Sequence, residues 1–312
     1  MKNLITRLKL SNNNSFYLSF FRVIICLLLI KQVFQIFPLL SLVYKGDQFL
    51  VGPKTIVEFV SFNSQFLRDN IYMYAYIYMF FIILYLFGLG KNVTALIVFI
   101  MNDILQKLCP YVLNGGDNLL KFILLYMVFA NSFTYFCLHK NKVKKDSISN
   151  VLSNLSVLSI CIHLCLIYFI SALHKTNATV WFHGVATYYT FQLERFSGTS
   201  FNSVLAQNSY FVVISTYFTL ILELYYPVLV WFKKPKTVVI LCMISLHAGI
   251  AVFMMLYDFQ FIFILVQGFF YKNSFWLPKY NALKNKIYNS TLFSFVKNKV
   301  VKYENNQIPN SY

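Results

Sequence analysis

The chain has 312 residues, of which 58% are hydrophobic and 12% are charged, whereas soluble proteins carry about 25% charged residues. This balance excludes a soluble globular protein and indicates a membrane protein. The net charge of +17 comes from lysine and arginine residues between apolar segments, where such residues orient a protein in the bilayer. The charge therefore indicates contact with a lipid bilayer that has an anionic leaflet, and not binding of nucleic acid.

The cysteines and the N-terminal residues exclude two further classes of chain. No CxxC pair and no metal-ligand spacing is present, so the sequence predicts neither a disulfide framework nor a metal site. Lys2, Arg7 and Lys9 precede an apolar run, as in a signal peptide. That run, residues 16–40, is longer than a cleaved hydrophobic region and lacks a small-x-small cleavage site, so we expect it to be retained as the first span.

The apolar segments predict an all-α fold, a polytopic membrane bundle of about eight transmembrane helices. A bilayer core requires about 20 apolar residues per helix. The last segment is shorter than this, and Asp258 separates it from the segment before it, which predicts a tight helical hairpin. The predicted spans are residues 16–38, 71–88, 93–109, 118–138, 150–173, 209–232, 237–257 and 259–271.

The basic residues predict that both termini are cytoplasmic, because this orientation places most of the 27 lysine and arginine residues inside. The chain then divides into a cytoplasmic N-terminal tail, 1–15, a transmembrane helical domain, 16–272, and a basic cytoplasmic tail, 273–312. A weakly amphipathic stretch of that tail, 283–303, is expected to lie on anionic lipid.

Three loops then face outward, and they carry the unusual residues of the chain. These loops are residues 39–70, with Gly46, Asp47, Gly52 and Pro53, residues 110–117, and residues 174–208.

Ionisable residues inside spans are costly in a bilayer and indicate function or pairing. Glu223 and His247 lie at matching depth on consecutive antiparallel helices, about 14 to 15 Å from the inner ends at 1.5 Å per residue. A hydrogen bond between them would either relay a proton or clasp the two helices. Asp103, near the middle of the third span, either joins such a polar network or faces water in a cavity. Arg22 and Lys31 are expected to extend toward the two membrane surfaces.

Two glycines and an aspartate, Gly115, Gly116 and Asp117, precede the fourth span. Asp117 is well placed to cap the helix and to complement its dipole. Capping does not require two preceding glycines, whereas a loop that approaches a ligand closely does use them. A helix cap and a binding loop therefore both stay open.

The fifth span ends in His174 and Lys175, at the edge of the third outer loop. A partly desolvated lysine can serve as a base or as an amine nucleophile, but an interfacial lysine within an aromatic belt would show the same pattern. Apolar and aromatic residues recur at helical spacing over 181–192 and predict one interfacial or re-entrant helix after span five. No phosphate-binding glycine loop, HExxH or Ser-His-Asp pattern is present.

The residues around Lys175 resemble the horizontally transferred transmembrane family, which includes the vitamin K-dependent gamma-glutamyl carboxylase. The stretch YFISALHK at 168–175, followed by Trp181, is similar to the YFIAGxKK stretch of the carboxylase and its following Trp. The resemblance implies that Lys175 is the base that deprotonates a hydroquinone, with His174 in place of a neighbouring lysine. The later order of residues is also similar to the family: Glu223, Pro227, the lysines of 233–236, and His247.

Three further motifs resemble the sporulation-delaying protein B group of that family: GGD before span four, W-x-x-G-x-A-x-Y-Y, and H-x-G-I in a late span. The group implies a multi-pass plasma-membrane protein whose active face is extracytoplasmic. It also implies maturation or export of a secreted antimicrobial peptide, with a peptide precursor and a small partner protein as partners. The implicated residues are Lys175, His174 and His183 for catalysis, Gly115, Gly116, Asp117 and Trp181 for substrate binding, and Glu223, His247 and Asp103 for structure or proton relay.

Three functions stay open at this point. The first is peptide maturation with Lys175 as the base, and the second is a non-catalytic immunity protein, scaffold or conduit for the peptide. The third is a quinone-linked, carboxylase-like enzyme that acts on another substrate, for which the resemblance implies a quinone or hydroquinone cofactor. The chain lacks the large extracytoplasmic domain of the carboxylase, so the substrate, and whether the protein is an enzyme at all, are left open.

Overall fold

A computed structural model describes residue 6 and residues 8–45, 64–108, 114–139 and 146–288, and over these residues the chain is all-helical, as predicted. Several predictions concern residues outside these ranges, among them Gly46, Asp47, Gly52 and Pro53. The chain divides into two compact units, residues 1–270 and residues 271–312.

The first unit is a bundle of long helices with a group of short helices between α7 and α11. Its helices are α1, Ser15–Ile36; α2, Leu40–Lys45; α3, Ser64–Asp69; α4, Ile71–Leu86; α5, Lys91–Leu108; α6, Gly115–Phe129; α7, Ile148–Thr176; α8, Thr179–Phe182; α9, Ala186–Gln192; α10, Phe201–Gln207; α11, Ser209–Leu229; α12, Lys236–Met254; and α13, Tyr257–Val266. Single 3₁₀ turns lie at Phe37–Leu39, Glu194–Phe196 and Gln267–Phe270.

Four of the helices among the described residues are long and apolar enough to cross a membrane. They are Ser15–Tyr44, which runs through α1 and most of α2, and then α7, α11 and α12. Two shorter helices, Ile71–Leu86 and Tyr257–Phe270, are also apolar. Helix α5 falls outside this set because Lys91, Asp103 and Lys107 all lie within its 18 residues. The described residues thus confirm the all-helical class and give four candidate membrane-spanning helices, which are consistent with a lipid bilayer.

Helix α6 ends earlier than predicted, at Phe129, and residues 130–139 are irregular, so the second half of the predicted span 118–138 is wrong. Polar side chains of other helices satisfy the backbone groups that this break exposes. Asn92 Nδ2 donates to the Val128 carbonyl at 2.6 Å, and the Asn131 N–H donates to Ser153 Oγ at 2.8 Å. Irregular backbone is tolerated in a membrane protein where protein groups satisfy it in this way.

Arg22 completes the support of the irregular segment, and its expected extension to the membrane surface is wrong. The side chain is fully buried, at 0% exposure, and Nη2 donates to the carbonyl oxygens of Tyr135 at 3.3 Å and Phe136 at 2.5 Å. Its guanidinium lies 5.2 Å from the centre of the Phe133 ring. Arg22 therefore substitutes for the helical hydrogen bonds that residues 130–139 do not make.

Helix α7 lies at the centre of the bundle, where it packs against α6, α8, α11 and α13. Asparagines join its first turns to the N-terminal segment. Asn154 Nδ2 donates to the carbonyl oxygens of Leu8 and Ser11 at 3.0 and 2.8 Å, and Asn150 Nδ2 donates to that of Lys9 at 2.8 Å. These bonds fix one end of α7, and the opposite end carries Lys175.

The second unit contains helix α14, Asn273–Tyr288, with Pro278 inside it. The Lys279 ammonium lies 3.7 Å from the centre of the Phe275 ring. The amphipathic stretch predicted for residues 283–303 lies mostly outside the described residues. Its first part, to Tyr288, is helical.

Candidate functional site

A cavity of about 350 Å³ lies among α7, α9, α11, α12 and α13, and we call it the Lys175 cavity. This volume lies within the range of small-molecule pockets, which are mostly apolar with a few convergent polar groups. Most of the surface of its wall is apolar. Its polar residues are Tyr168, Ser171, Lys175, Thr187, Thr190, Thr219, Glu223, His247 and Gln260, and its aromatic residues include Trp181, Phe191, Phe259 and Phe263.

Lys175 and Glu223 form an ion pair at this cavity. Lys175 Nζ lies 2.5 Å from Glu223 Oε1 and 2.6 Å from Oε2, and the two side chains are only 20% and 10% exposed. The ammonium also lies 4.8 Å from the centre of the Trp181 ring, where the ring face attracts a cation. The Lys175 ammonium therefore points into the cavity, where a carboxylate and an aromatic ring hold it.

The chain places this pair through two local features. Lys175 lies in the last turn of α7, where the helix dipole favours a positive charge. Glu223 lies in α11 four residues before Pro227, which is inside the helix and has no N–H to donate to the Glu223 carbonyl. The acidic side chain thus lies on a turn of α11 that lacks one backbone hydrogen bond.

His247 lies in a second polar chain at the same cavity. Its Nδ1 is bonded to Gln260 Oε1, and its Nε2 lies 2.7 Å from Tyr168 Oη. An amide oxygen only accepts, so Nδ1 carries the hydrogen and Nε2 accepts from the Tyr168 hydroxyl. Gln267 Nε2 donates to the same hydroxyl oxygen at 3.0 Å, and Tyr226 donates to Gln267 Oε1. The chain of bonds orients a neutral imidazole.

The predicted hydrogen bond between Glu223 and His247 is therefore not formed. Both residues line the cavity, as their matching depth suggested, but Glu223 bonds Lys175, and His247 bonds Tyr168 and Gln260. A carboxylate gains more from a charged ammonium donor than from a neutral imidazole. Because the Lys175 side chain extends from the end of α7 to Glu223, the carboxylate pairs with Lys175 and not with His247.

His174 and His183 do not join Lys175. Both are exposed and lie outside the lining of the cavity, and the His183 ring contacts Phe182 edge to face at 5.4 Å between centres. The single helix predicted over 181–192 is instead two short helices, α8 and α9, with Gly184 at a positive φ of 73° between them. Trp181 lines the cavity, whereas both histidines lie outside it.

The glycines and the aspartate before α6 form a capping box and a close helix contact. The Asn114 side chain accepts from the Gly116 and Asp117 N–H groups at 2.7 and 3.2 Å, and Asp117 Oδ2 accepts from the Asn114 N–H at 2.9 Å. A Cβ on Gly115 would lie 2.8 Å from the Phe259 ring, and one on Gly116 would lie 2.9 Å from Phe259 Cα. Close packing of α6 on α13 accounts for both glycines.

Asp103 lies outside this polar network. It forms an ion pair with Lys107, one turn along α5, at 2.7 Å, and it lines neither the Lys175 cavity nor the cavity beside Asp117. Asp103 therefore joins neither the polar groups around Glu223 and His247 nor the lining of these two cavities. Its role here is to form an ion pair with a residue one turn away on a partly exposed face of the same helix.

Four members of the site were not predicted from the sequence: Tyr168 as a hydrogen-bonding group, Gln260, Gln267 and Tyr226. A signal for two of them was present, because Gln260 and Gln267 are amides seven residues apart within an otherwise apolar run. That spacing returns to the same face of a helix. Uncharged polar residues inside a span identify network members as well as charged residues do.

The assembled site offers an ammonium, a carboxylate and an oriented neutral imidazole around one volume. Such a set can take a proton from a ligand and can stabilise the anion that results. Comparisons of the chain with protein-family models, with curated proteins and with solved structures found no match.

Proposed function

We propose that this membrane protein carries out proton-transfer chemistry in the Lys175 cavity, as part of the maturation or export of a secreted antimicrobial peptide. The observation that carries the proposal is the Lys175–Glu223 ion pair, held at 2.5 and 2.6 Å at the wall of a cavity whose surface is mainly apolar. Ionisable groups within apolar membrane helices are costly and commonly mark functional sites.

The ion pair supplies a base once a ligand displaces water. In this pair the lysine holds the proton, so Lys175 must first pass it to Glu223 to become a neutral amine. Filling the cavity removes water and disfavours two separated charges, which favours transfer of the proton from Nζ to Oε. The neutral amine then takes a proton from an acidic group of the ligand, and the ammonium that forms pairs with the ligand anion.

The cavity fits an aromatic ligand with an acidic hydroxyl group. Trp181, Phe259 and Phe263 supply flat apolar contacts, while Lys175 would bind a hydroxyl group. A hydroquinone, which the family resemblance implies, has this chemistry and would supply reducing equivalents when bound. Lys175 would hold its acidic oxygen, and the aromatic residues would hold its ring.

The assignment to peptide maturation rests on the motif resemblance to the sporulation-delaying protein B group. On this proposal the protein lies in the plasma membrane with about eight spans and both termini in the cytoplasm. The distribution of lysine and arginine then places the Lys175 cavity toward the extracytoplasmic face. A peptide precursor and a small partner protein would act with it there.

Secretion of active peptide by cells tests this proposal. The chain is co-expressed with a peptide precursor encoded beside it, and the killing activity and mass of the secreted peptide are measured. We expect Lys175→Ala and Glu223→Gln to abolish active peptide. Lys107→Ala removes a lysine of the surface ion pair on α5 and is the matched control. Full peptide activity from Lys175→Ala, with normal insertion in the membrane, would contradict the base assignment.

A non-catalytic role as an immunity protein, scaffold or conduit is the second candidate. It is favoured by one observation: both charges of the ion pair are satisfied, as they would be in a purely structural clasp. Such a protein should tolerate Lys175→Gln, which keeps a hydrogen-bond donor. It should be sensitive to a bulky residue in the cavity, such as Thr187→Trp, whereas the base mechanism requires Lys175 itself.

A further inference from the structure

A second cavity, of about 330 Å³, lies between α1, α5 and the first turns of α6 and α13. We call it the Asn102 cavity. It shares no lining residue with the Lys175 cavity, and the first turn of α13 separates the two. Its polar lining residues are Gln32, Gln35, Tyr44, Tyr78, Asn102, Gln106, Asn114, Asp117 and Asp258.

Two amide atoms at this cavity have no hydrogen-bond partner among the described residues, Asn102 Nδ2 and Gln106 Oε1. Both side chains are buried, at 7% and 8% exposure, and a buried polar atom without a partner is costly. The other atom of each amide is engaged: Tyr78 donates to Asn102 Oδ1 at 3.2 Å, and Gln106 Nε2 donates to the Asp117 carbonyl at 3.2 Å. These bonds leave one donor and one acceptor on the lining.

The free donor and the free acceptor lie one helical turn apart on α5, so they share a face of that helix. The N–H and C=O of one residue in an extended peptide point to the same side, as in the residue pairs of an antiparallel sheet. Such a residue can donate to Gln106 Oε1 and accept from Asn102 Nδ2 at once. The unsatisfied pair is thus complementary to peptide backbone.

The charged side chains that line the cavity are acidic, Asp117 and Asp258. Asp258 is paired with Lys31, which reaches it from the first helix. Burial raises the pKa of the Asp117 carboxyl, the Asn114 backbone N–H lowers it, and the neighbouring Asp258 carboxylate raises it. Asp117 therefore lacks a compensating cation among the described residues, and a ligand ammonium would supply one.

We propose that the Asn102 cavity binds the free amino terminus of a peptide. The ammonium lies beside Asp117, and the N–H and C=O of the next residue bond Gln106 and Asn102. The hydrogen bond from Gln106 to the Asp117 carbonyl holds the Gln106 side chain beside the residue that would pair with the ammonium. The identification of the ligand as a peptide rests on the proposed function, whereas the ammonium and amide chemistry rests on the side chains.

Binding of alanyl-alanine amide to the purified full-length protein in lipid nanodiscs tests this proposal by isothermal titration. We expect saturable binding of this probe, and binding of its N-acetyl form that is at least about tenfold weaker because the ammonium is lost. Asp117→Asn and Asn102→Ala should each weaken binding by about tenfold. Asn102→Ala removes the free donor, together with the acceptor for Tyr78, without adding a charge.

Asp103→Asn is the matched control, because it removes a carboxylate from the same region of α5 without changing the cavity. Variants of the Asn102 cavity are compared with this control where their thermal unfolding matches the parent protein. Equal binding of the acetylated and free probes, or binding unchanged by Asp117→Asn, would overturn the proposal. So would the absence of any saturable binding, which would identify a cavity filled by water only.

The Lys175 variants separate this inference from the proposed function. Lys175→Gln should leave binding of the dipeptide amide unchanged, since Lys175 lies outside the Asn102 cavity. Probe binding with no effect of Lys175→Ala on peptide secretion would overturn the base mechanism alone. Loss of secretion in Lys175→Ala without any probe binding would overturn the amino-terminal site alone.

Discussion

Lys175 and Glu223 lie 48 positions apart in the sequence, and the lysine ammonium donates hydrogen bonds to both carboxylate oxygens of the glutamate. The two groups are mostly shielded from water. In such a pair each charge depends on the other, because removing one partner leaves an uncompensated charge that is costly to bury. The stability of the bundle and the chemistry of the cavity are thus linked through one contact.

We predict that Glu223→Gln and Lys175→Met each destabilise the protein, by about 3 kcal/mol, because each leaves one charge unpaired. The double variant should recover much of this loss. Thermal unfolding in detergent, analysed as a double-mutant cycle, measures the coupling. The surface pair Asp103 and Lys107 is the matched control, with an expected coupling below about 1 kcal/mol. Additive losses at Lys175 and Glu223 would contradict a coupled pair.

Ligand binding should move a proton onto Glu223. When a soluble hydroquinone is added to the protein, we expect the infrared difference spectrum to gain the C=O stretch of a protonated carboxylic acid. The band should be absent from Glu223→Gln and reduced in Lys175→Met, because Lys175 is the source of the proton. A band that persists in Glu223→Gln would assign the proton to another carboxyl group.

Tyr168→Phe should destabilise the protein by about 1–3 kcal/mol, because it leaves His247 Nε2 without a donor and Gln267 Nε2 without an acceptor. Tyr217 is the matched control, since its hydroxyl donates to the Phe182 carbonyl at an exposed position. Unfolding measurements on Tyr168→Phe and Tyr217→Phe compare the two. An equal, small effect of both changes would show that the His247 network contributes little to stability.

Gly116→Ala should destabilise the protein by about 1–3 kcal/mol, since the added Cβ would lie 2.9 Å from the Phe259 backbone. The displaced Phe259 also lines the Lys175 cavity, so ligand affinity there should fall too. Gly249→Ala is the control, because its Cβ would meet no atom within 4 Å and alanine favours a helix. Unfolding and hydroquinone titration of both variants test the contact. Neutral behaviour of Gly116→Ala would contradict it.

The sequence predicted the helical class and the long apolar helices, since both depend on composition and periodicity. It did not predict the partners of the buried polar residues, which depend on how each helix is rotated. Glu223 and His247 both line one cavity, yet Glu223 bonds Lys175, whereas His247 bonds Tyr168 and Gln260. The helix cap at Asp117 could be predicted from neighbouring residues alone. Gly115 and Gly116 are required because a Cβ at either position would clash with Phe259, which is distant in the sequence.

Binding of the dipeptide amide in the Asn102 cavity should follow a bell-shaped dependence on pH. As pH falls through the raised pKa of Asp117, the carboxylate takes a proton and loses its attraction for the ammonium. As pH rises above about 8, the peptide amine loses its proton and the same attraction is lost. Asp258 and Lys31 face this region as a pair and largely offset each other.

In Asp117→Asn the affinity should no longer fall at acidic pH, because an asparagine side chain does not titrate. The fall in affinity at alkaline pH should be smaller than in the parent protein. The affinity of the probe, measured by titration calorimetry from acidic to alkaline pH, gives both limbs. The N-acetyl probe should lack the alkaline limb, since it has no amine to lose a proton. An acidic limb that survives in Asp117→Asn would assign the titrating carboxylate to Asp258 and place the ammonium there.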